Sequence, residues 1–133
     1  LIWLDDTTLA LLGSQARMWS LTIISVEGET IDAGPTRAFA PFEDFASLRF
    51  AGTAVPDEIA MHDIGTNRVL SGTIDDYGNH NDSRGSSLQV IELPGPALSA
   101  WYSDPGQLIW TDTARTLRVG GNVIPGDYLW ARR

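Results

Sequence analysis

Ser103-Asp104-Pro105-Gly106-Gln107-Leu108-Ile109-Trp110-Thr111-Asp112-Thr113-Ala114-Arg115-Thr116-Leu117-Arg118-Val119-Gly120-Gly121 reads as one β unit. Pro105 presets φ and Gly106 accepts φ > 0, the chemistry of a tight reversal. Two β-favouring runs follow, 108–111 and 116–119, around a polar break at 112–115. The first thirteen residues echo this order: Leu1-Ile2-Trp3, then Asp5-Asp6-Thr7-Thr8, then Leu9 to Gly13. Each copy gives Leu-Ile-Trp, an Asp/Thr turn and a second apolar run. The echo predicts a repeated hairpin whose two tryptophans occupy matching environments.

Outward from that stretch, most of the chain alternates in the same way. Residues 18–26 are rich in β-branched and aromatic side chains, and 27–29 make a turn into a second hairpin over 23–33. Residues 36–45 hold Phe39, Phe42 and Phe45 beside Pro41 and read as a loop folded back onto the core. Further strands are expected at 46–51, 58–64, 68–70, 72–74, 88–93, 97–102, 123–124 and 128–131, with a break at Val55-Pro56-Asp57 and a turn at 65–67. Residues 75–87 contain one large apolar group, Tyr77, and read as a mobile surface loop. No segment carries a helical stripe with caps. The expectation is an all-β protein of short antiparallel strands. It is either one domain over 1–133 or a fragment of a larger β-propeller, with blade-like units near 1–45, 46–93 and 94–133. A β-sandwich or jelly roll is the alternative.

Composition narrows the function classes. With 43% hydrophobic and 20% charged residues the chain is expected to fold. Its nine basic residues are all arginine, and its net charge of −8 argues against a nucleic-acid partner. Cysteine is absent, so there is neither a disulfide nor a thiolate ligand. No run reaches the roughly 18 apolar residues that a spanning helix requires. The sequence begins at Leu1 inside a strand-like run, which predicts processing from a longer precursor.

The candidate chemistry is sparse. His62-Asp63 has the residue types of a general base and its orienting partner, but no nucleophile turn accompanies it, and His62 reads as a half-exposed strand histidine. Asp75, Asp76, Asn79, Asn81 and Asp82, with His80 among them, offer oxygen ligands for Ca²⁺ without the spacing of a helix–loop–helix calcium site. The main reading there is a solvated loop. Asp5 and Asp6 adjoin in an extended chain and point apart, so turn capping explains them better than a carboxylate pair acting on a glycoside. Trp3, Trp19, Trp101, Trp110 and Trp130 read as packing residues, with a stacking platform for a sugar or peptide as the alternative. No catalytic residue, cofactor or firm metal site is expected.

Residues 3–12 followed by 21–29 resemble a blade of the LpqB-type lipoprotein β-propellers, and 103–110 resemble the turn that opens blades in many bacterial propellers. This resemblance implies a non-catalytic, extracytoplasmic interaction module, lipid-anchored through a segment absent here. Its implied partner is a membrane sensor kinase or another envelope protein. Two other classes remain open: a structural component of a viral or phage capsid or tail, built from copies of itself, and a carbohydrate- or calcium-binding β-domain.

Overall fold

The computed structural model describes residues 1–52, 58–78, 88–103, 107–120 and 122–126. Turn positions 104–106, the break at 55–57, Gly121, the strand expected at 128–131 and Trp130 lie outside the described residues. The elements are β1 (Ile2–Trp3), β2 (Thr8–Gln15), β3 (Met18–Glu27), β4 (Thr30–Pro41), β5 (Leu48–Phe50), β6 (Ile59–Asp63), β7 (Arg68–Gly72), α1 (Ile74–Gly78), β8 (Gln89–Glu92), β9 (Ala97–Ser103), β10 (Gln107–Asp112), β11 (Leu117–Val119) and β12 (Asn122–Ile124). The chain is all-β, as the alternation predicts. It forms three four-stranded antiparallel sheets, ordered β1-β2-β3-β4, β5-β6-β7-β8 and β12-β11-β10-β9, each a meander of consecutive strands.

Tight turns set the register of the first sheet. Gln15 pairs with Met18 across a two-residue loop, Ala16-Arg17, with φ of 50° and 63°. Both residues are left-handed, as a type I′ hairpin requires, yet neither is the glycine or asparagine that tolerates it. At the next turn Glu27 pairs with Thr30, and Gly28 takes φ 60° as the first loop residue, as in a type II′ hairpin. Replacing Ala16-Arg17 by Asn-Gly should therefore stabilise the protein by about 1 kcal/mol, read as a raised urea midpoint. The Arg17–Glu43 pair lost in that variant is 3.8 Å long and exposed, so its loss matters little.

The expected loop at 36–45 is corrected over its first half, where β4 continues to Pro41. Pro35 masked the strand in the sequence. It is tolerated because β4 is an edge strand whose pairing with β3 shifts register between Thr22 and Ile24. Phe39 and Ala40 are fully buried, so the segment does return to the core.

The second sheet lies between the other two, which explains why all five residues of β6 are buried. Its alternation sends Ile59, Met61 and Leu70 into one core with Ala10, Leu21, Phe39 and Tyr77. Ala60 and Val69 go into a second core with Ala97, Ala100, Tyr102 and Trp110. Asn67, left-handed at φ 57°, stitches the second sheet to the third, its amide donating to Gly95 O at 2.6 Å and accepting from Ala97 N at 3.0 Å.

The hairpin echo holds in pairing but not in environment. Trp3 pairs with Leu9 and Trp110 with Arg118, each beside an Asp/Thr turn. In the first turn Asp5 Oδ1 accepts from Thr7 N at 2.7 Å; in the second Asp112 Oδ1 accepts from Thr116 N at 2.9 Å. However, β1 is the edge strand of its sheet, leaving Trp3 55% exposed, whereas β10 is internal and Trp110 is 5% exposed under the Arg118 guanidinium. The two hairpins hold different places in their sheets, so the expectation of matching tryptophans is overturned.

Residues 75–78 belong to α1 rather than to the expected loop. Thr73 Oγ1 accepts from Asp76 N at 3.2 Å, and Asp76 Oδ2 accepts from Thr73 N at 2.8 Å, the reciprocal pattern of a capping box. Tyr77, 1% exposed, is driven into the first core, its ring edge-on to Phe39 with centroids 5.2 Å apart.

Candidate functional site

Three strands distant in sequence border one groove of about 600 Å³. Leu1, Ile2 and Trp3 supply one wall at β1, Leu48, Arg49 and Phe50 of β5 supply another, and Trp101 of β9 and Leu12 of β2 complete the lining. Each wall belongs to the first strand of its sheet, and β4, β8 and β12 are the fourth strands of theirs. Strand alternation aims the walls. Arg49 pairs with His62 and shares its face, while Leu48 and Phe50 take the opposite face, Phe50 opposite Met61. Gly52, at φ 84°, clears space for Trp101, since a Cβ there would lie 3.0 Å from the indole Cε2.

Trp3 also begins an apolar surface on the outer face of the first sheet. Cross-strand pairing puts Trp3, Leu9, Ile24 and Ala33 in one row, Leu11, Thr22 and Thr36 in the next, and Val26 beside Ile31. These rows carry no charged residue. Leu11 and Ile31 are 41% and 72% exposed, and the hydroxyls of Thr22 and Thr36 bond to each other at 2.6 Å. Groove and face together form an aromatic and aliphatic surface, with Arg49 as the charged side chain in the groove lining.

Of the residues singled out in the sequence, Trp3 and Trp101 line this groove and the others that are described fall elsewhere. His62 is 2% exposed, not half-exposed, because the second sheet is covered on both faces. Adjacent strand residues point apart, so Asp63 does not orient it. Asp63 instead accepts from the backbone N–H of Ser47 at 2.8 Å and of Ala46 and Gly65 at 3.2 Å, and from the Thr66 hydroxyl. His62 Nε2 is buried and has no hydrogen-bond partner among the described residues. Burial is the largest influence on this imidazole and pushes it below its ordinary value of 6.5; the Asp63 charge and the Asn67 side chain pull it back, and the Arg49 guanidinium adds to the depression.

The unfolded chain binds a proton as pH falls through 6.5 while the folded chain does not, so stability is greatest above that value and declines below it. The urea midpoint should therefore drop between pH 7.5 and pH 5.5, and His62→Phe should remove most of that drop.

Of the proposed calcium ligands, Asp76 is committed to the Thr73 cap, and the exposed Asp75 lies 3.9 Å from Arg37. Asn79, His80, Asn81 and Asp82 lie outside the described residues. Among the described residues no group of three or more His, Cys, Asp or Glu is placed to hold a metal. Asp5 caps its own turn, and the Thr7 backbone N–H holds its carboxyl below the usual range. Trp19 is a packing residue, its Nε1 donating to Phe45 O at 2.7 Å and its ring lying 5.1 Å from that of Phe42. Arg49 and Phe50 were visible in the sequence only as an alternating strand. An arginine held between two apolar neighbours was the available signal.

Fold and surface together define a class: an all-β chain of three stacked four-stranded meanders with an aromatic groove at their junction. Beyond that class, no family model, no curated protein and no solved structure matches this chain. No helix among the described residues is long and apolar enough to cross a membrane.

Proposed function

We propose that this chain is a non-catalytic interaction module of the β-propeller type, its three sheets serving as consecutive blades. Support for the blade reading comes from the three four-stranded meanders and from the groove that the first strand of each one lines. The observation that carries the function is the charge-free outer face of the first sheet, which runs through Trp3 into the groove. Exposed apolar surface of that extent is characteristic of protein docking sites. Trp3, Trp101 and Phe50 supply anchors of the kind that dominate binding energy, and Arg49 supplies a fork for a partner carboxylate. The groove lining contains one ionisable side chain and no acid–base pair, which suits recognition better than turnover.

The partner in this proposal is an extracytoplasmic envelope protein, the class implied by the lipoprotein resemblance. Immobilised protein should capture a discrete envelope protein from an extract, and Trp3→Glu with Leu11→Glu should abolish the capture. Equal capture by the variant, or turnover of a small substrate without any capture, would remove the proposal. Multiple copies in solution, lost in the same variant, would favour the assembly alternative.

A further inference from the structure

We infer that the cavity between the first sheet and α1 binds a small carboxylate with a short apolar tail. This site is separate from the docking surface and does not depend on it.

The cavity holds about 170 Å³ and is walled by Leu21, Ile23, Pro35, Ile74 and Tyr77, with Arg37 and Gly78 at its rim. A cavity of about 150 Å³ lined by comparable side chains stays dry and takes up a benzene-sized guest, so this one suits a tail of about five or six carbons. Its interior offers the tail no competing polar group: the Tyr77 hydroxyl donates to Ile59 O at 2.8 Å and leaves only the ring as wall. Burial raises the Tyr77 phenol far above its usual range, so the wall stays uncharged.

The rim supplies the opposite chemistry. Arg37 meets Asp75 at 3.9 Å, with both side chains exposed at 52% and 85%. A contact of that length and exposure is weak. A ligand carboxylate seated over the cavity replaces it with a two-point guanidinium contact. Gly78 lies beside this guanidinium: a Cβ there would stand 3.0 Å from Arg37 Nη1 and would shift the side chain by a few tenths of an ångström. Greasy walls and one cation at the mouth select a monocarboxylate over a neutral alcohol, and a six-carbon chain over a three-carbon one.

The test titrates the protein with hexanoate, with hexanol and propanoate as controls, by calorimetry and by NMR. Saturable hexanoate binding with Kd below about 1 mM is expected, and roughly tenfold weaker binding of both controls. Arg37→Gln should bring hexanoate down to the level of hexanol. Ile23→Trp should fill the cavity and abolish both. Ligand contacts to the Tyr77 ring and the Ile74 methyl in the unmodified protein test the location even where Ile23→Trp fails to fold. Absence of saturation at about 10 mM hexanoate, contacts confined to other residues, or unchanged affinity in Arg37→Gln would each overturn the inference. None of these outcomes bears on capture of a protein by the outer face of the first sheet.

Discussion

Replacing Asp63 by alanine is expected to cost about 3–5 kcal/mol of folding free energy, enough to leave most of the chain unfolded under mild conditions. Asp63 is fully buried and is the acceptor for four donors on two segments: Ala46 and Ser47 before β5, and Gly65 and the Thr66 hydroxyl in the β6–β7 turn. Removing the carboxylate strands those donors, and each buried donor left without an acceptor costs about 1–3 kcal/mol. Asp63→Asn keeps the shape but turns one oxygen into a donor, so it should cost about half as much. Urea unfolding at neutral pH measures both, and a loss below about 1 kcal/mol for the alanine variant would contradict the assignment.

The same residue sets an acid limit. Burial by itself would raise the Asp63 carboxyl, but the Thr66 hydroxyl and the N–H groups of Ser47, Ala46 and Gly65 outweigh it and hold the group below its ordinary 3.8. The unfolded chain therefore takes up its proton first as pH falls. Stability from Asp63 is present above 3.8 and is lost as pH falls through the lower folded value. This second acid step should disappear in Asp63→Asn, whereas the milder decline below 6.5 that belongs to His62 should persist.

Tyr77→Ala should be the other large loss, about 3–5 kcal/mol. The ring is 1% exposed, packs on Phe39, and closes the first core from the side of α1. Tyr77→Phe preserves the ring and removes only the bond to Ile59 O, so about 1–2 kcal/mol is expected. Thermal unfolding of the pair separates packing from hydrogen bonding. Near-equal losses would mean that the hydroxyl, not the ring, holds α1 in place.

Much of the architecture was legible because alternation is a local signal. The run at 18–26 became β3 nearly to the residue, and the Glu27-Gly28-Glu29 turn formed where its glycine required it. The failures came where a distant part of the chain overrode local composition. Pro35 argues against a strand unless β4 is known to be an edge. Asp75-Asp76-Tyr77 looks like solvated loop until Thr73 is recognised as a cap and Phe39 as the floor beneath the ring. His62 looks half-exposed until a third sheet covers it. The groove was less accessible still, since residues near 1–3, 48–50 and 101 share a surface only after three separate ladders have formed. Trp3 and Trp101 had been marked as unusual, but nothing local indicated that Arg49 would join them.

The order in which strands follow one another along each sheet bears on how the chain emerges during translation. The first ladder has all its hydrogen-bonding partners once Pro41 has left the ribosome, but the surface carrying Leu21 and Phe39 stays bare until Ile59, Met61 and Leu70 arrive. Synthesis of the stretch from Pro41 to Leu70 takes a few seconds at about 5–20 residues per second. During that interval a nascent chain displays a finished ribbon whose core-facing side is still wet, a natural substrate for a holding chaperone and a vulnerable moment for any variant that slows the second ladder.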